Sequence, residues 1–562
     1  PPQALGPPSF IPLDLWFIPG YTSFISPGWP NSAGPGILRP MRTPLEVLLG
    51  GCQDGLRRTA ARWLPPLLCL GPVGLAAAEP QHRPLSLVDC VHSALEHNYD
   101  LKIARFNPAI SSNDLHQAFA DYDPVFTLGG DHGYNRQPEV RDASGSGANG
   151  LTTTSDGFTA GLSGSLPTGG SLSLATALTD SYGSSPLLAT NGLFAGRSLF
   201  ENTKGSATFL NLRQPLLRNL WTDQTRLTIR VRRVDLKDSE LGFRQSLMTT
   251  VFNVEQAYYD LIAARETVKV QEKALELAQR LLEENADKVK IGVMAQLDEK
   301  QAQSQVASSQ AALITARRTF SADENILKNL MTDNYEAIHA LEFTPTEDLR
   351  AAVQVYDLQQ SWTTAFNNRA DLHQLMLTLE RADLQLRFYR NQLFPALDLT
   401  ATYGHNASST DFGGGFDQLG SGSGPFYTVG ATLSVPLSNR RSRDSLNITR
   451  LQRSQAEQRL AQFRQTVMVQ VDDAIKQAEA SFRRVAATRA AREYAEAALQ
   501  AEQDKFRAGT STPFVVLQLQ RNLTSARSDE IQALADYNKA NSSLSLREGS
   551  ILKRNGVELQ LR

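Results

Sequence analysis

Cysteine is scarce in this chain. Of three in 562 residues, Cys52 and Cys69 fall in a leader-like stretch, which leaves Cys90. One cysteine makes neither an internal disulfide nor a metal site. With eight histidines and no HExxH or CxxC spacing, metal chemistry has little support. Charge of one sign is lacking too: 56 basic side chains face 58 acidic ones. A nucleic-acid partner would call for a clustered basic face, so none is expected, nor any cofactor. Beyond residue 80 no apolar run reaches the ~18 residues of a spanning helix. Any membrane crossing must therefore be made of strands.

The first eighty residues do not read as fold. Residues 1–40 are rich in Pro and Gly without periodicity, and residue 1 is Pro, so Met41 is the expected start. Arg57, Arg58 and Arg62, the apolar run Trp63–Ala78 and the small residues Ala76–Ala78 predict a secretory signal peptide. Leu49-Gly50-Gly51-Cys52 resembles a lipoprotein cleavage box, although Glu46 interrupts the apolar run before it. Residues 1–78 are thus read as leader plus signal peptide.

What is present is repetition. A constant offset of 271 pairs Ala94 with Ala365, Asp100 with Asp371 and Pro124 with Pro395. An offset of 217 pairs Gly292 with Gly509, Gln301 with Gln518 and Phe320 with Tyr537. Most of the difference lies between Pro124 and Pro215. The expected first repeat is 79–357, with short helices 86–121, strands 124–215, long helices 220–332 and a mixed segment 333–357. The second is 358–549, with short helices 358–393, strands 396–437 and long helices 443–548, followed by a tail, 550–562.

The strands alternate cleanly. Leu397, Leu399, Ala401 and Tyr403 alternate with Asp398, Thr400 and Thr402, and Phe158 to Leu166 does the same. Such alternation over ~10 residues suits a membrane barrel strand, apolar outward and polar inward. A half-buried strand of a soluble sandwich gives the same pattern. Gly/Ser-rich 141–157 and 409–425 read as exposed loops. Leu247, Val254, Leu261, Val268, Leu275, Leu282 and Val289 are spaced by seven, and Val471, Ala478, Val485, Arg492, Leu499 and Phe506 repeat the spacing. A strict seven-residue repeat gives left-handed supercoiling. From Thr222 to Lys290 the helix is ~100 Å long at 1.5 Å per residue. Pro215 and Pro436 are expected to let the chain pass from strand to helix. Gly292 and Gly509 are expected where the backbone needs φ > 0 between helices. His92 and His97 do not share a helical face and read as surface residues.

The opening LSLVDCVHSALEHNYDL, the strand endings LNLRQPLLRN and LSVPLSNR, and the turns Lys290–Asp298 and Arg507–Val515 come in an order that resembles the TolC family of outer-membrane efflux channels. The resemblance runs from about Leu85 to Gly549. It implies an α+β membrane protein, internally duplicated, in which a trimeric transmembrane β-barrel continues into a long α-helical coiled-coil periplasmic barrel. It implies a homotrimer of four strands per protomer and a twelve-helix tunnel, with 333–357 and the C-terminus in an equatorial belt. It implies outer-membrane lipid around the barrel, a periplasmic membrane-fusion adaptor protein at the tips, and an inner-membrane pump of resistance–nodulation–division (RND) or ATP-driven (ABC) type. The tip residues for docking are Gly292, Val293, Gly509 and Thr510.

Departures from the family qualify this. Residues 157–166 and 171–180, turned at Pro167–Gly170, form a further hairpin; either each protomer has six strands or this hairpin packs outside the membrane. A ring of aspartates at the tunnel mouth in some relatives matches Val515 and Gln518 here. Asp298 matches a family tip aspartate that closed relatives hold with an Arg and a Tyr; those positions are Ser511 and Phe506. Neither supplies the same charge-assisted bond. Asp298, Glu299, Phe506 and Ser511 are therefore the expected mouth residues, with a different lock. Asp298 and Glu299 give the mouth a negative field favouring cations.

The function expected is a passive exit duct for small molecules such as drugs or metals, or for proteins. A coiled-coil envelope scaffold without transport is the alternative. No nucleophile–base pair or cofactor motif supports an enzyme.

Overall fold

The structure, a computed structural model, describes residues 82–557. The expected leader with Met41 and Cys52, and the end of the C-terminal tail, lie outside the described residues. A short strand β1 (His82–Leu85) precedes helices α1 (Leu87–His97), α2 (Tyr99–Ala104) and α3 (Phe106–Phe119). Strands β2 (Val125–Arg136), β3 (Val140–Arg141), β4 (Gly147–Ala148), β5 (Thr152–Ser165), β6 (Ser171–Leu188) and β7 (Phe194–Pro215) follow. Helix α4 (Gln224–Lys290) runs out and α5 (Gln296–Met331) returns. After α6 (Tyr335–Ile338) and β8 (Glu342–Pro345) come α7 (Leu358–Asn368), α8 (Ala370–Asn391), β9 (Ala396–Ser409), α9 (Phe412–Ser421) and β10 (Pro425–Ser434). Helices α10 (Arg440–Arg507), α11 (Pro513–Arg547) and α12 (Ile551–Arg554) complete the chain.

Six strands form one antiparallel sheet in the order β10-β9-β7-β6-β5-β2. The hairpin β5–β6 therefore lies inside the sheet, between β2 and β7. Because side chains alternate across a strand, register divides the sheet into two faces. Leu397 opposes Leu433, Leu399 opposes Ala431 and Tyr403 opposes Tyr427 on one face. Asp398 opposes Thr432 and Thr402 opposes Thr428 on the other. Both hairpin strands outrun expectation: β5 begins at Thr152, inside the expected loop, and β6 extends to Leu188.

The other expected loop holds α9. A glycine-rich segment is a poor helix former, so packing decides. Asp411 caps the helix, its carboxylate accepting from the Gly414 amide at 2.6 Å. Phe412 and Leu419 then close over Leu178, Ala207 and Ala407. A Cβ on Gly415 would stand 3.1 Å from the Leu178 side chain, so the glycine permits the close approach.

Helices α4 and α10, 67 and 68 residues long, are each ~100 Å rods. Toward the strands α3 and α8 lie along α4, and α8 also along α10; farther out α5 lies along α4 and α11 along α10. The short and return helices meet at matching joints. Asn98 Nδ2 donates to the Leu330 carbonyl at 3.0 Å. Arg369 Nη1 donates to the Arg547 carbonyl at 3.4 Å. Of the seven-spaced residues in α4, Leu247, Val254 and Leu261 are buried, whereas nearer the tip Ala278, Leu281 and Asn285 are the buried ones. Arg492, the charged member of the α10 row, pairs with Glu530 at 2.5 Å.

The segment 333–357 wraps the middle of the helices. Strand β8 pairs with β1 in parallel. Tyr258 donates to the Leu85 carbonyl at 3.1 Å, and Tyr537 to that of Ala352. Beneath it Lys328 and Glu324, both buried, lie 3.4 Å apart. The Phe343 amide donates to Glu324 at 2.7 Å, and Lys328 donates to the His339 carbonyl at 3.1 Å. Further hydrogen bonds help offset the cost of burying an ion pair, and here they reach Glu324 Oε1 and the Lys328 ammonium. Burial pushes the Cys90 thiol far above its ordinary range.

Candidate functional site

The residues singled out in the sequence fall at three places. Pro215 and Pro436 sit where strands become helices. Pro215 ends β7 and is buried; Pro436 follows β10 and is exposed. After each proline the backbone takes left-handed conformations: φ is 69° at Asn219, 55° at Trp221 and 44° at Asn439. Asp223 then caps α4, accepting from the Arg226 amide at 2.6 Å. The second junction is held by Asn439 Nδ2, which donates to the Leu393 carbonyl at 3.1 Å.

The far ends of the two hairpins turn in the same way. Gly292 and Gly509 each have φ of 77°. The Gly292 amide donates to Val289, and the Val293 amide to Lys288, both at 3.0 Å. At the other turn Gly509 donates to Phe506 at 3.1 Å and Thr510 to Lys505 at 3.0 Å. This pair of bonds satisfies the last carbonyls of a helix and needs a left-handed residue, hence glycine. Around both glycines no atom comes within 4 Å of an added Cβ. Ile291 and Val293 project into solvent, about three-quarters exposed.

Among the described residues no hydrogen bond or ion pair joins the four expected mouth residues to one another. Asp298 lies in the first turn of α5, half-buried like Glu299. Among the described residues no ion pair is formed by either. Ser511 turns instead to its own hairpin, donating to Glu502 at 2.5 Å. Glu502 also takes Lys505 at 3.1 Å. The Ser511 hydroxyl, then Lys505, hold the Glu502 carboxyl below its usual range. Phe506 is buried among Leu281, Leu499, Val516 and Leu517. The Lys288 ammonium stands 3.9 Å from its ring centroid, a cation–π contact. Phe506 thus fastens one hairpin to the other.

Sequence reasoning missed Lys288, Asn285 and Glu502. Asn285 is fully buried, and neither polar atom of its side chain has a partner among the described residues. The 217 offset pairs Asn285 with Glu502 and was the available signal. No group of three His, Cys, Asp or Glu side chains among the described residues is placed to hold a metal. Nor is any described helix long and apolar enough to cross a membrane.

A fold of this kind is found in solved outer-membrane channels. The chain is 16% identical to the Campylobacter jejuni channel CmeC, with 85% of this chain and 90% of that one covered and a TM-score of 0.59. For Vibrio cholerae VceC the identity is 16%, the coverage 82% and 96%, and the TM-score 0.59. For the open state of Neisseria gonorrhoeae MtrE the values are 17%, 84% and 91%, and 0.58. No curated protein matches the chain. The family model for outer membrane efflux proteins matches residues 178–332 and 363–549, more than half of the sequence. Members of that family are channels rather than enzymes. The chain belongs to the outer membrane efflux protein family, with its strands in the outer membrane and its helical rods in the periplasm.

Proposed function

We propose that this chain is the passive exit duct of a tripartite export system. Three copies, each internally duplicated, close one barrel and one helical tunnel. The observation that carries this reading is the sheet. It has one apolar and one polar face, and it ends at two free edges, β2 and β10. Open edges are not viable in lipid, so closure needs further copies. Passage is driven from elsewhere, by an inner-membrane pump of RND or ABC type acting through a periplasmic adaptor. Drugs, metals and proteins all suit such a duct, and the pump selects among them.

The tips are the adaptor's docking points. The twin turns present Gly292 and Val293, and Gly509 and Thr510, as two similar knobs for one repeated partner surface. Asp298 and Glu299 bring negative charge to the mouth. Phe506 with Lys288, and Ser511 with Glu502, supply the lock within each protomer.

Electron microscopy of detergent-extracted full-length protein tests the reading. A hollow cylinder of three-fold symmetry with a helical stem ~100 Å long is expected. A solid rod or a compact monomer overturns it and favours an envelope scaffold.

A further inference from the structure

A protomer of four strands was the family expectation, and the additional hairpin had two possible places. We infer that β5 and β6 are membrane-spanning wall strands facing lipid, so that the closed trimer has eighteen strands and an exit about half again as wide as twelve would give. This rests on the trimeric-duct reading above.

Two observations carry it. The first is position in the sheet. Strand β5 pairs along its length with β2, and β6 with β7. Between β2 and β7 there is no direct ladder. A wall that contains both β2 and β7 therefore contains the hairpin, unless two ladders of a dozen or more residue pairs are broken.

The second is register. Phe126 opposes Leu162, which opposes Leu174. Leu172 opposes Leu212, Leu212 opposes Ala401, and Ala401 opposes Val429. One apolar band thus runs level across all six strands. The hairpin's share is exposed at Leu162 and Leu174, like the bare second-half residues Leu399 and Val429. The other face carries a polar row across five strands, Ser163–Ser173–Asn211–Thr402–Thr428, with Val125 at its β2 end. Asn211 Nδ2 donates to Ser173 Oγ at 3.1 Å, and Arg213 pairs with Asp398 at 2.6 Å on that same face. Small and polar inside, apolar outside, is the order of a water-filled barrel.

The band also stops at one level. Asp156 opposes Asp180, and Asp180 opposes Thr203. Just below that row, α9 covers Leu178. From Phe158 to Leu166 the chain covers about 27 Å along the strand. Tilted as barrel strands are, that fills most of the ~25 Å apolar height of an outer membrane. A hairpin outside the membrane would leave this surface wetted for no gain, at ~25 cal/mol per Å². Barrel diameter grows about linearly with strand number, and eighteen strands leave an aqueous channel. The exit end then passes solutes broader than a twelve-stranded exit allows.

The test places single cysteines in the full chain, labels them with an environment-sensitive fluorophore and reconstitutes the protein in phosphatidylcholine vesicles. Native Cys90 is fully buried; Cys52 and Cys69 are replaced by serine, and the parent chain so altered sets the background. L162C and L174C probe the hairpin's apolar face, T159C and A177C its polar face, and L399C and V429C the second-half strands. Labels at 162 and 174 are expected to lose most of their emission to lipid-borne nitroxide, as 399 and 429 do. Labels at 159 and 177 are expected to respond to aqueous iodide alone. If 399 and 429 meet lipid while 162 and 174 meet iodide, the hairpin lies outside the membrane; this inference falls and the duct stands. If 399 and 429 also fail to meet lipid, the duct reading falls and takes this one with it. Cryomicroscopy of the unlabelled protein gives an independent count: eighteen strands support the inference and twelve overturn it.

Discussion

The two hairpin tips have the same backbone and different interiors. Gly292 and Gly509 share φ of 77° and the same pair of closing bonds. Yet one tip buries Asn285 with no partner among the described residues, and the other ties Glu502 to Ser511 and Lys505. One tip sends Lys288 across to its neighbour's Phe506 ring. Backbone geometry is set by the requirement to close a helix end, which any such turn must meet. Side chains answer to what packs beside them, and there the two tips differ. The difference predicts that the tips share a docking shape but open unequally.

The largest break in this comparison is Phe506→Ala. It removes the aromatic that joins the hairpins, at about 3 kcal/mol for a buried ring. Amide exchange in both tips is expected to quicken roughly a hundredfold, while exchange near Leu261 is unchanged. If only the α10–α11 tip quickens, Phe506 is not the fastener. Next come Gly292→Ala and Gly509→Ala. No neighbour obstructs the added methyl, so the cost is the left-handed backbone alone, about 1–2 kcal/mol. Equal losses in the two variants sharpen the comparison, and unequal ones show that the turns differ in some way the backbone hides.

Asn285→Ala has a smaller effect and the opposite sign. A buried amide without a partner carries a desolvation cost of about 1 kcal/mol, so its removal is expected to slow exchange in the α4–α5 tip about fivefold. Faster exchange would mean that Asn285 is bonded in the assembly, through water or a neighbouring copy.

What could be read from the sequence follows the same division. The rods, the turns and the prolines are written in local chemistry: seven-residue spacing, a glycine after a helix, a proline after a strand. In the structure α4 runs from Gln224 to Lys290, and both turn glycines have φ of 77°. Helix α9 was hidden because Gly413–Gly415 argues for a loop, and packing against Leu178 and Ala207, far away in sequence, makes a helix there worthwhile. Strand β5 began early for the same kind of reason, since β6 offers Thr152 a partner that local composition does not reveal. The mouth residues were the least legible. Asp298, Phe506 and Ser511 were grouped by their positions in the family's lock, and here Ser511 has Glu502 within its own hairpin.

Acid should separate the tips by the smallest margin. The Glu502 carboxyl lies below its usual range because Ser511 and Lys505 bond its charged form. A depressed carboxyl stabilises the fold above its unfolded value, and the contribution is lost as pH falls through the folded value. Protection of the α10–α11 tip amides, taken relative to the pH-dependent intrinsic exchange rate, is therefore expected to fall on acidification below the ordinary glutamate range, with Glu502→Gln removing that dependence. Asn285 does not titrate, so Asn285→Ala should leave the acid response of the α4–α5 tip as it was. Because Glu502 is solvent-accessible, water and salt screen the bond, and raising the salt should shrink the difference between the tips. An acid response that survives Glu502→Gln would move its origin away from this carboxyl.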